Sequence, residues 1–261
     1  MARFCPLASG SSGNSTYIQC GNTAVLIDAG IPYKTICERI LAAGGDMKKI
    51  AGVAVTHSHG DHIRGLKTLL QKTGVPLYAT RQTLEELAFK DYIPANAKTV
   101  FTDEESAVFG DIEIRRFATS HDAPGSCGYR INTASGSCCI CTDLGIVTDT
   151  VRNAISGADL LLFEFNHDID LLRRGPYPPH LKIRILSDLG HLSNASAAAE
   201  VPFILSGGTK QLILGHLSRQ NNTPDIALAA AKSAAELHGA VPGEDFLLSA
   251  ANPEMSGVSI F

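Results

Sequence analysis

Three histidines and an aspartate fall within the six residues His57-Ser58-His59-Gly60-Asp61-His62. Imidazole and carboxylate together are the donors that borderline divalent metals such as zinc accept. Alternation puts His57, His59 and Asp61 on one side of a loop, with His62 turning to the next position. Two donor clusters this close suggest two metal ions rather than one. A polar surface loop with incidental histidines is the competing reading, and the density of the motif speaks against it.

The flanking pattern says what must present these donors. Residues 50–55 form a short apolar run that reads as a buried strand, so the donors occupy a loop at a strand's carboxyl end, where α/β sheets place their sites. Upstream, residues 3–8, 16–20 and 23–28 read as strands, the last two joined by the hairpin turn Gly21-Asn22, and 33–43 as a helix. Downstream, 63–72 reads as a helix, 75–79 as a strand, and 80–90 as a helix capped by Thr80. Short strands are expected at 98–101, 107–109, 112–117, 128–132 and 137–141. Then come a helix at 148–156, an apolar strand at 158–165, an alanine-rich helix at 195–205 capped by Ser193 or Asn194, and a strand at 211–214. Thr223-Pro224 opens a helix reaching about residue 238, and 246–248 and 257–260 supply terminal strands. Gly175-Pro176-Tyr177-Pro178-Pro179 reads as a turn. With no repeat or linker in evidence, residues 1–261 are expected to form a single domain.

His57-x-His59-x-Asp61-His62 after an apolar strand resembles the signature of the metallo-β-lactamase fold hydrolases. His121, Asp143 and His216, each just past an expected strand, fall in that family's order, although His121 alone could be a cap or turn residue and Asp143 beside Gly145 reads equally well as a turn. The resemblance implies an α/β (α+β) fold, a four-layer αββα sandwich of the metallo-β-lactamase type. It implies that His57, His59 and His121 hold one ion, that Asp61, His62 and His216 hold a second, and that Asp143 bridges them. Two divalent ions, Zn²⁺, Mn²⁺ or Fe²⁺, would then activate a shared hydroxide as nucleophile and offset charge on substrate oxygens, with Asp61 counted among the catalytic residues. Asp28-Ala29-Gly30 resembles an early family feature that buttresses the site without ligating.

Gly190-His191-Leu192-Ser193 resembles a segment of the transfer-RNA-processing branch, RNase Z, where such a histidine paired with a glutamate gives a proton to the leaving oxygen. Glu164 stands at the matching strand end, so His191 and Glu164 are the candidates for that role. A histidine that merely caps or orients the following helix is the competing reading. A wider set of motifs, Gly10-Ser11-Ser12-Gly13-Asn14, Ser120-His121-Asp122-Ala123, Asn166-His167-Asp168 and Gly215-His216-Leu217-Ser218 among them, resembles one bacterial subgroup, the YycJ (WalJ) proteins. That resemblance implies a 5′-to-3′ DNA exonuclease. A small-molecule phosphodiesterase with the same metal site is the alternative, and a protein-binding regulator with a structural metal site is a further one.

With 44% hydrophobic and 18% charged residues and a formal net charge of −4, no whole-molecule positive field advertises nucleic-acid binding. Contacts to DNA would therefore be local. Ser11, Ser12 and Asn14 are expected on one phosphate, and Arg173, Arg174 or Lys182 along the strand, in the densest basic segment of the chain. The competing reading of that segment is a solvated charged face. The start lacks the pattern of a secretion signal and no run approaches a membrane span, so a cytoplasmic protein without membrane contact is expected. Seven cysteines, an odd number, fit a reducing compartment, and Cys138, Cys139 and Cys141 read as small buried strand residues.

Overall fold

The turn Gly21-Asn22 joins β2 (Ser15–Cys20) to β3 (Thr23–Ile27) in antiparallel register, with Cys20 opposite Thr23. Gly21 takes a φ of 56°, which costs glycine little. From this hairpin the first sheet grows both ways. Its order is β14 (Ser259–Ile260), β1 (Ala2–Ala8), β2, β3, β4 (Ile50–Ala54), β5 (Leu77–Tyr78) and β6 (Thr99–Val100). Pairing is antiparallel from β14 to β3 and parallel from β3 to β6, so the sheet is mixed. The computed structural model describes residues 1–100 and 106–261; the expected strand at 98–101 thus appears as β6, and Phe101 lies outside the described residues.

The second sheet comprises β7 (Ser106–Phe109), β8 (Ile112–Ala118), β9 (Cys127–Thr133), β10 (Gly136–Cys141), β11 (Leu160–Glu164), β12 (Gln211–Gly215) and β13 (Leu247–Ala250). β7 pairs antiparallel with β8, while β10, β11, β12 and β13 run parallel. The chain divides into two compact units, residues 1–116, 123–136 and 252–261 in one and 117–122 and 137–251 in the other.

Within the first unit, α1 (Tyr33–Ala42) and α3 (Leu66–Thr73) bury Ile36, Ile40, Leu66 and Leu69 against Leu26 and Val53 of the sheet. Gly52 in β4 admits the ring of Phe109, because a Cβ there would lie 2.3 Å from Phe109 Cε1. The Tyr129 hydroxyl donates to the Val55 carbonyl at 2.8 Å, which satisfies a phenol that is otherwise fully buried. Thr80 caps α4 (Arg81–Phe89) by accepting from the Thr83 N–H. Within the second unit, α8 (Asn194–Ser206) and α9 (Pro224–Leu237) present Ala197, Val201, Ala227 and Ala231 to Phe163, Leu212 and Leu214. Ser193 caps α8 and Thr223 caps α9, with Pro224 at the first helical position.

Two expectations are corrected. The helix expected over 63–72 is two pieces, α2 (Gly60–Ile63) and α3, broken at Gly65, whose N–H goes to the Ala29 carbonyl instead of continuing a ladder. The stretch read as a turn and charged face contains α6 (Ile169–Arg174) and α7 (Pro179–Ile185), following α5 (Asp149–Ile155) and β11. Pro178-Pro179 is a helix start as well as a turn signal, since proline lacks only an N–H that the first helical turn does not use. All seven cysteines are free, and Cys138, Cys139 and Cys141 are buried in β10. Among the described residues no helix is long and apolar enough to cross a membrane.

Candidate metal centre

The candidate donors are divided between the two units, and each set is held by its own anchors. In the first unit the anchor is Asp28, directly after β3, in a left-handed conformation with φ 60° that aspartate tolerates better than most residues. Its Oδ1 accepts from the Thr56 N–H at 2.8 Å, and its Oδ2 from the Thr56 hydroxyl at 2.9 Å and from His62 Nδ1 at 2.8 Å. A carboxylate on Nδ1 leaves Nε2 of His62 as the donor, 3.7 Å from Asp61 Oδ2. The Thr56 hydroxyl, its proton given to Asp28, accepts from His57 Nδ1 at 3.0 Å. The His57 ring lies 4.7 Å from that of His59 and 4.1 Å from that of His62.

Backbone contacts lock this loop. Ala29 N–H donates to the His62 carbonyl at 2.8 Å and Asn14 N–H to the Asp61 carbonyl at 2.7 Å. Gly30 is required there, since a Cβ on it would lie 1.7 Å from the Asp61 oxygen. Asn14, expected on a substrate phosphate, is buried, and its amide is committed inside the chain. Oδ1 accepts from the Gly10 N–H at 2.8 Å; Nδ2 donates to the Gly10 carbonyl at 3.1 Å and approaches His62 Nε2 at 3.0 Å and Asp61 Oδ2 at 3.4 Å. Ser11 is exposed and Ser12 half-buried beside it.

In the second unit most donors stand at a strand's carboxyl end, while His191 lies in the loop between α7 and α8. Asp143 comes after β10, Glu164 ends β11, and His216 follows β12. Asp143 and His216 both take left-handed conformations, φ 62° and 54°. For a histidine this is uncommon, and such outliers concentrate at functional sites. Nδ1 of His121 lies 3.1 Å from the Gly190 carbonyl, which can only accept, so Nε2 is left to face Asp143 Oδ1 at 4.0 Å. Burial pushes the His121 imidazole below its usual pKa, and His191 adds to this against the opposing charges of Asp143 and Glu164.

Glu164 is the hub. Oε1 takes His216 Nδ1 at 2.8 Å, His191 Nδ1 at 3.0 Å and the Asp143 N–H at 3.2 Å, while Oε2 takes the N–H groups of Leu144 at 3.2 Å and Leu192 at 3.0 Å. Burial alone would raise its pKa, yet the charges and hydrogen bonds of His191 and His216 bring it down to about 2. It remains an anion and fixes both rings with Nδ1 protonated. Candidate ligand atoms of Asp143, Glu164, His191 and His216 all lie within 4.8 Å of one another.

The basic segment also has an inward side. The Lys182 ammonium, expected along the DNA, donates to the carbonyls of Arg173 and Gly175, both at 2.7 Å, while Arg173 and Arg174 are exposed. Arg184 pairs with Asp122, its Nη2 2.9 Å from Oδ1, next to His121. The sequence does not reveal these contacts: Arg184 and Asp122 are far apart in the chain, and Lys182 turns back on the end of α6 only because the chain folds there.

The residues fit divalent ions. His57, His62, His121 and His216 each have Nδ1 held by a neighbouring oxygen, which leaves Nε2 with the lone pair (in His62 beside the Asn14 amide), the arrangement by which proteins orient metal-ligating histidines. A purely structural histidine has no need of so uniform a tautomer.

A profile of the family described as "Beta-lactamase superfamily domain" matches residues 23–216. The exodeoxyribonuclease YycJ of Bacillus anthracis is 36% identical over 97% of this chain and 96% of its own length. The exodeoxyribonuclease WalJ of Streptococcus pneumoniae is 38% identical over 86% of this chain and 85% of its own. Among solved structures, the metallo-β-lactamase fold protein YhfI of Bacillus subtilis covers 100% of both chains with a TM-score of 0.73 at 18% identity, a likeness of fold.

Proposed function

Because the chain belongs to the beta-lactamase superfamily, we propose that it is a metal-dependent phosphodiesterase that degrades DNA, an exodeoxyribonuclease working from the 5′ end, with residues 1–261 acting as one domain. The observation that carries this reading is the common Nδ1 anchoring of His57, His62, His121 and His216, which would suit four buried imidazoles to one kind of ligation. His57, His59 and His121 would hold one divalent ion and Asp61, His62 and His216 a second, with Asp143 shared; Zn²⁺, Mn²⁺ and Fe²⁺ all suit these donors. When bound, the ions supply Lewis acidity towards phosphate oxygens and lower the pKa of water. The names of the two relatives, each spanned over most of its length, support DNA as the substrate.

The chain's own residues do the rest. His191, half-buried, turns Nδ1 to Glu164 and so holds any proton it gives on Nε2, where it would protonate the departing sugar oxygen. Glu164 orients His191 and His216 together, which makes it a positioning residue for both ligation and proton transfer. Ser11, Ser12, Arg173 and Arg174 offer polar groups to the DNA backbone, whereas Asn14 and Lys182 serve the loops that carry them. The test compares hydrolysis of DNA with that of bis(p-nitrophenyl) phosphate by protein stripped of metal and reloaded with Mn²⁺ or Zn²⁺. Release of nucleotides from DNA, lost in Asp143→Ala, is the expected result. Hydrolysis of the small ester alone would assign a small-molecule substrate instead.

A further inference from the structure

Arg64 stands two residues after His62, exposed, at the end of α2. Its Nη1 donates to the Ser12 carbonyl at 3.2 Å, and among the described residues this is its one side-chain hydrogen bond. A guanidinium carries five N–H donors in a rigid fork, so the contact fixes the group and leaves most of its capacity for a ligand. Among the described residues no hydrogen bond engages the hydroxyls of Ser11 and Ser12 on the same loop. That loop is rigid. Gly13 N–H closes on the Gly10 carbonyl at 3.0 Å, Asn14 clamps Gly10 from both sides, and Gly30 N–H donates to the Asn14 carbonyl at 2.8 Å. Asn14 in turn holds Asp61 through its own N–H. A cation and two hydroxyls are therefore set at fixed positions relative to two candidate ligands, in a chain whose net charge is −4.

We propose that Arg64, Ser11 and Ser12 form a subsite for a phosphate of the substrate strand adjacent to the one being cleaved. The inference rests on the phosphodiesterase function proposed above and names the group that binds the neighbouring phosphate. The planar fork of arginine suits two phosphate oxygens at once, and the rigid loop spares the cost of ordering the site on binding.

The test uses the metal-loaded protein and the variants Arg64→Ala and Arg64→Lys. With single-stranded DNA, Arg64→Ala should raise KM about tenfold, the size of one charge-assisted contact. It should also flatten the dependence of log KM on log salt by about 0.7, the share of one phosphate contact on a single strand. Arg64→Lys should restore the salt dependence and only part of the affinity. Hydrolysis of bis(p-nitrophenyl) phosphate, which has a single phosphate, and the metal content should be unchanged. An equal loss on that ester, a fall in bound metal, or an unaltered KM and salt dependence on DNA would overturn the subsite. Should the wild type fail to cleave DNA, the DNA reading falls, and the subsite is judged by inhibition of ester hydrolysis. Thymidine 3′,5′-bisphosphate should inhibit the wild type more strongly than the 5′-monophosphate, and Arg64→Ala should erase that difference; its persistence would refute the proposal.

Discussion

His216 Nδ1 lies 2.8 Å from Glu164 Oε1, and the carboxylate that holds it is fully buried. The same oxygen holds His191 Nδ1 at 3.0 Å, so one anion sets the orientation of a candidate ligand and of a candidate proton donor. Glu164→Gln keeps the shape and removes the charge, and the amide cannot accept from all five donors now converging on it. Metal affinity is expected to fall about 10- to 100-fold, the usual effect of losing such a partner. Calorimetric metal titration measures this, and wild-type affinity in the variant would show that the pair does not serve ligation.

Gly30 and Gly60 make a matched pair for testing the packing of the histidine loop. A methyl at Gly30 would meet the Asp61 carbonyl at 1.7 Å, whereas one at Gly60 meets nothing within 4 Å. Gly30→Ala should destabilise the protein by about 3 kcal/mol or more, as overpacking against fixed backbone does. Gly60→Ala should cost nothing measurable, because alanine favours the helical turn it would enter. Thermal melts of the two variants side by side would decide.

His167 gives the protein a calculable response to acid. It is 1% exposed, neither ring nitrogen has a hydrogen-bond partner among the described residues, and burial brings its pKa from 6.5 down to about 4 against the opposing charge of Glu164. The unfolded chain therefore binds a proton below pH 6.5 that the folded chain refuses until about pH 4. Stability is unaffected above that window and falls through it on acidification, by about 3 kcal/mol if this group acts alone. Burial of His121 pushes in the same direction. Denaturant titrations in chelator should show the decline, with a shallower slope in His167→Leu; equal slopes would remove His167 from the account.

The proton-donor role of His191 predicts a dependence on the leaving group. A sugar oxygen departs poorly without a proton, whereas nitrophenolate departs unaided. His191→Ala should thus slow DNA hydrolysis by about 10²- to 10⁴-fold and leave bis(p-nitrophenyl) phosphate nearly untouched. Equal losses on both substrates would make His191 a helix-orienting residue only.

The histidine loop was legible because four donors in six residues have few other uses, and the strand before it was legible from its apolar run. The caps at Thr80, Ser193 and Thr223 were legible too, since each is a hydroxyl ahead of a periodic stretch. Asp28 was recognised as a buttress by resemblance, and its grip on Thr56 and His62 agrees with that role. α6 and α7 were obscured by Gly175 to Pro179, where proline can mark either a turn or a helix start, and in α7 by the alternation of His180, Lys182 and Arg184 with apolar residues, which hides a short helical period. The contacts of Asn14 and Lys182 were out of reach for another reason. Both residues look like ideal phosphate contacts by type, and only the fold reveals that a loop or a helix end takes up their polar atoms. Arg64 was overlooked because its neighbours His57 to His62 explain the motif without it.

Digestion of DNA labelled at one end tests the central claim most directly, using metal-free protein, protein reloaded with Mn²⁺ or Zn²⁺, and reloaded Asp61→Ala. The account predicts no cleavage without metal, stepwise loss from the 5′ end with it, and a loss of activity in Asp61→Ala of at least about 100-fold. Cleavage that persists in chelator, or full activity in Asp61→Ala, would contradict it.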